Sequence, residues 1–103
     1  MNLRILKYIL PLFAVSGFAA SPISECNFNG ITLNGKVKIV THNADIKVKV
    51  VEHAADIDVQ IVTYAPNDCG EWQIVTYDED FTIQFVDYAE DITIEFVTYN
   101  PGT

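Results

Sequence analysis

His42 and His53 stand eleven residues apart, each two residues after a valine, and two imidazoles held in register by a repeat could ligate a metal. Zinc asks for three or four such ligands at about 2.0–2.3 Å. The same slot in the four later copies is Tyr64, Tyr77, Tyr88 and Tyr99. A position that takes histidine or tyrosine alike asks for an aromatic edge with a polar tip, so packing is the expected role. The acidic runs Asp78-Glu79-Asp80 and Asp87 with Glu90-Asp91 suggest calcium. They lack the spaced aspartates and glycine of a calcium loop, and an aspartate that opens each unit serves more simply by accepting bonds from nearby backbone N–H groups. Paired carboxylates also serve glycosidases, but an acid and a base need two different environments, and these carboxylates are copies of one. Cys26 and Cys69 are the only cysteines. Neither lies in a Cys-X-X-Cys pair, and a reactive thiol needs a base or cation beside it. The expectation is a non-enzyme with no cofactor, and a weak calcium-, zinc- or carbohydrate-binding protein is the alternative.

The elements that position these residues are copies of one unit. Anchor valines fall at Val40, Val51, Val62, Val75, Val86 and Val97, eleven residues apart except for one step of thirteen. Within each unit apolar and polar residues alternate: Val37/Ile39, Ile46/Val48/Val50, Ile57/Val59/Ile61, Trp72/Ile74, Phe81/Ile83/Phe85 and Ile92/Ile94/Phe96. That period of two, built from β-branched and aromatic residues, predicts strands with one buried face. An odd repeat length would turn each next copy inside out. The doublets such as Val50-Val51 and Phe85-Val86 are the places where a bulge or corner could reset the parity. The chain is therefore expected to be all-β, and periodicity alone leads to a β-solenoid or a small closed barrel.

Lysines at 36, 38, 47 and 49 would face each other if successive copies paired side by side, and like charges opposite one another destabilise a sheet. Successive units are thus expected not to be neighbours, with Lys36 beside Asp58 and Lys47 beside Glu71 in a next-but-one pairing.

The first nineteen residues read differently. Met1 to Lys7 is a short basic start, Tyr8 to Val15 is apolar around Pro11, and Gly17-Phe18-Ala19 offers small residues for cleavage. Residues 1–19 are expected to be a signal peptide and residues 20–103 the domain. The apolar run is shorter than the roughly twenty residues a membrane span needs. The chain carries −8, and losing Arg4 and Lys7 with the leader takes it to −10, so nucleic acid is a poor partner. Export to a periplasmic or extracellular space makes Cys26–Cys69 a disulfide, worth about 4 kcal/mol in the chain-entropy model.

The run from Lys36 to Val62, with its core Asp45-Ile46-Lys47-Val48-Lys49-Val50-Val51-Glu52-His53, resembles the septoil knot family of small β-proteins. The likeness is looser over residues 69–99, where tyrosine replaces histidine and phenylalanine replaces valine. The resemblance implies a seven-crossing torus knot of β-strands and no known activity. The leader, the cysteine pair and the insertion at Pro66 set this chain apart. A structural role or a protein-binding role is expected, with Tyr77, Tyr88, Tyr99, Asp87 and Glu95 as the interaction surface, since tyrosine is enriched at interfaces.

Overall fold

The computed structural model describes residues 21–103, so the expected leader lies outside the described residues. A short antiparallel hairpin comes first, β1 (Asn27–Phe28) with β2 (Ile31–Thr32). Six strands follow: β3 (Gly35–Ile39), β4 (Ile46–Val50), β5 (Ile57–Ile61), β6 (Glu71–Ile74), β7 (Phe81–Phe85) and β8 (Ile92–Phe96). They form a closed barrel in the order β3-β6-β5-β8-β4-β7, and every pairing is parallel. The small closed barrel is thus the architecture, and no edge strand of the barrel is left open to template aggregation.

The barrel is built in two circuits. β3, β4 and β5 make the first, each passing over one place in the ring; β6, β7 and β8 fill the three gaps left behind. Units that follow one another are therefore separated by a strand, as the lysines require, with β5 and β6 as the exception. The next-but-one pairing is corrected. Units of one circuit never touch, so apart from β5 with β6 every pairing joins units three or four apart: Lys36 lies opposite Gln73 and Lys47 opposite Gln84. A chain that always advanced two places would return to its own first strand. One odd step is needed, and it falls between β5 and β6, in the loop lengthened by two residues around Pro66. There Ile61 pairs with Trp72, so the chain must reach two residues further back along the barrel than in the other turns. The insertion supplies that reach.

Each strand is displaced two residues from its neighbour, always in the same sense: Val37 opposes Phe81, Ile46 opposes Ile83, and Val48 opposes Ile92. Two residues at each of six junctions is a shear of twelve, and a shear twice the strand number slants the strands steeply.

Burial follows the alternation for two steps and then stops. The first and third residues of the strands (Ile46, Val48, Ile57, Val59, Phe81, Ile83, Ile92, Ile94) are at most 2 % exposed. Burying each such side chain contributes about 1.5–3 kcal/mol. β3 begins with Gly35 and Gly70 holds the equivalent place just before β6, and Leu33 and Ile23 of the lead-in join the core instead. Trp72 is fully buried, packs edge-on to Phe81 at 5.7 Å and donates its indole N–H to the Leu33 carbonyl at 3.1 Å. The fifth residue of each strand is corrected from core to surface: Ile39, Val50, Ile61, Ile74, Phe85 and Phe96 are 40–47 % exposed.

The parity reset also differs from a bulge at the doublets. The second valine of every doublet continues the ladder, with its N–H on the carbonyl of the next strand's third residue, as in Val40 to Ile83 and Val86 to Val48, 2.8 and 2.9 Å. The reset comes afterwards, where Asn43, Ala54, Asp78, Ala89 and Asn100 have φ between 55° and 64°. Ala65 is the one residue of that slot outside the left-handed set. It precedes Pro66, and proline pushes the residue before it to extended backbone.

Candidate functional site: the strand-end rim

Four units open on a carboxylate whose role is structural. Asp45 accepts from Thr82 N, Asp56 from Thr93 N, Asp80 from Lys36 N and Asp91 from Lys47 N, at 2.8–2.9 Å. The aspartates return the bond through their own N–H groups, for example Asp80 N to the Lys36 carbonyl at 2.7 Å and Asp91 N to that of Lys47 at 2.8 Å. The expectation of nearby backbone donors is corrected: each partner is 37 or 44 residues away. The donors are neighbours in the barrel only, so each clamp ties one circuit to the other. Gly35 is required by this device. A Cβ there would run into the Asp80 carboxylate, and its φ of +140° is open to glycine.

Two units lack the aspartate. Cys69 stands in the slot of β6 and is bonded to Cys26, with Cα atoms 5.9 Å apart. Asp58, which that slot's clamp would have met, exchanges two backbone bonds with Gly102 instead, 3.0 and 2.8 Å. Gly70 lies against this junction, where a Cβ would overlap the Asp58 carbonyl. Glu71, nearly buried, accepts from Asn67 N and Asp68 N at 3.1 Å each and shapes the long loop.

Of the acidic runs, Asp80 and Asp91 are so occupied. Among the described residues no three His, Cys, Asp or Glu side chains converge on one point. His42 and His53 are exposed rather than packed, and the same is true of Tyr77, Tyr88 and Tyr99, at 74–81 %. The aromatic slot therefore faces solvent, because it lies in the loop after burial has ended.

Since all six strands run the same way, the six exposed fifth residues come to one end of the barrel. The aromatic slots lie three residues further along, in the loops that leave that end. Shallow depressions open there. Val50 and Phe85 line one with Lys49, Val86 and Asp87. Ile74 lines another with Lys36, Thr76, Tyr77 and Asp78, and Phe96 a third with Asp58, Thr98, Tyr99 and Asn100. Of the residues expected on the surface, Tyr77, Tyr99 and Asp87 are thus brought to depressions. Tyr88 is exposed outside these three, and Glu95 lies on the barrel wall opposite Asp58. The rim residues themselves read as core in the sequence, because alternation gives side and not depth.

Residues 30–103 match the 7(1) septoil knot domain. The chain belongs to the septoil knot family. No curated protein matches the chain. The two interleaved circuits of the closed barrel are compatible with a knot domain, and the cysteine bridge joins the matched span to the lead-in, since Cys26 precedes it. Among the described residues no helix is long and apolar enough to cross a membrane.

Proposed function

We propose that the protein is an exported binding module without catalytic activity, which holds another protein on the strand-end rim. The observation that carries this reading is the rim: six apolar side chains at equivalent places, each 40–47 % exposed, beside tyrosines more exposed still. A contiguous apolar surface edged by polar residues marks interaction sites on soluble proteins, and tyrosine joins a large apolar area to a polar tip. The bridge Cys26–Cys69 suits an oxidising compartment, as does the leader-like start. The commitment of the repeated aspartates to backbone N–H groups supports a non-catalytic role, since it leaves them in like environments.

Random twelve-residue peptides displayed on phage test the reading against the wild type and an Ile74→Ser/Phe85→Ser/Phe96→Ser variant. We expect sequences enriched on the wild type and lost on the variant, with Trp72 fluorescence reporting an intact core in both. Equal enrichment on the two proteins, or none on either, contradicts it.

A further inference from the structure

Two of the depressions are equivalent by the repeat and differ at two charged positions, Lys36 against Asp58 and Asp78 against Asn100. Each lies where the second residue of a strand meets the loop leaving its neighbour. In one, Lys36 of β3 meets Ile74, Thr76, Tyr77 and Asp78. Its ammonium sits 3.3 Å from the Asp78 carboxylate, the only ion pair among the described residues. In the other, Asp58 of β5 meets Phe96, Thr98, Tyr99 and Asn100. This one is larger, about 470 Å³ against about 370 Å³. A carboxylate stands where the first has lysine. Glu95 lies directly opposite Asp58 in the β5/β8 register, and like charges so placed repel.

We infer that the depression at Asp58, Phe96 and Tyr99 receives a lysine or arginine side chain from a basic amphipathic segment of the partner, whose apolar side covers the rim. The inference rests on the binding-module reading and names the partner's chemistry. In the Lys36 depression Asp78 holds an ammonium from within the chain; here Asn100 stands in the Asp78 slot, and Asp58 is the carboxylate left to meet a cation from outside. Phe96 and Tyr99 offer ring faces to a cation and apolar area to its aliphatic stem. The surroundings select the same sign. The segments between strands, from Val40 to Asp45 through to Val97 and beyond, contain no lysine or arginine and ten carboxylates. Such a field attracts a basic partner and repels both an acidic peptide and a second copy of this chain.

Fluorescence anisotropy with three synthetic peptides of equal length tests it: alternating Lys/Phe, alternating Glu/Phe and alternating Lys/Ser. We expect the Lys/Phe peptide to bind at least about tenfold more tightly than the others. Asp58→Lys, which places an ammonium in the depression as Lys36 does, should weaken that binding about tenfold or more, as loss of an anchor does. Glu25→Lys makes the same charge change in the lead-in and should weaken it less than about threefold. Equal effects of the two substitutions, tight binding of the Lys/Ser peptide, or preference for the Glu/Phe peptide would overturn the inference. If display yields rim-dependent sequences that are not basic, this inference falls and the binding module stands. If neither experiment gives rim-dependent binding, both fall.

Discussion

An L-residue in the left-handed region costs about 1–2 kcal/mol relative to right-handed backbone, and five units accept that cost at one place. Asparagine, at Asn43 and Asn100, tolerates the conformation through its short polar side chain; alanine, at Ala54 and Ala89, does not. We therefore expect Ala54→Asn and Ala89→Asn each to stabilise the fold by roughly 0.5–1 kcal/mol in urea unfolding. Gly35→Ala should do the opposite. It forces a Cβ against the Asp80 carboxylate and destabilises by about 2–3 kcal/mol. If Gly35→Ala proves neutral, the Asp80 clamp is not as drawn. At this scale the sequence is partly legible. An aspartate opening four of the units is visible in the repeat, but its donor, 37 or 44 residues off, is not. Nothing local encodes which strand of the other circuit will lie alongside.

The strands themselves are the most legible elements, because a period of two in β-branched and aromatic residues admits little else. Depth is not legible. Phe96 is as apolar as Phe81, yet Phe81 is 2 % exposed and Phe96 45 %. What separates them is position along the slanted strand, a property of the closed barrel. The element that departs from the repeat, the loop around Pro66, marks the one odd step of the chain and lies beside the bridge. The bridge spans 43 residues and ties the lead-in to the start of β6. Cys26→Ser/Cys69→Ser should lower stability by about 3–4 kcal/mol in the chain-entropy model. Since Leu33 and Ile23 fill the end left by Gly35 and Gly70, the loss should appear first as proteolytic cutting in the lead-in, before cutting in β3–β8. Simultaneous cutting everywhere would show that the lead-in is no separate unit.

At the scale of the whole molecule, two circuits that interleave must be undone in order, and no strand of the barrel leaves without breaking ladders on both sides. Winding of this kind is rare among folds and favours slow unfolding, useful where unfolded chains are not rescued. It also sends six equivalent strand ends to one side, so the repeat that builds the core makes the rim as well. In the proposed function the rim is the binding end of the barrel, and chemical-shift mapping tests this most directly. In 1H–15N spectra of the purified protein titrated with the Lys/Phe peptide, we expect shifts at Ile39, Val50, Ile61, Ile74, Phe85 and Phe96 and at Asp58 and Tyr99, with Leu33 and the β1–β2 hairpin unmoved. Shifts concentrated on the hairpin, or on the lysine-bearing wall of β3 and β4, would contradict it.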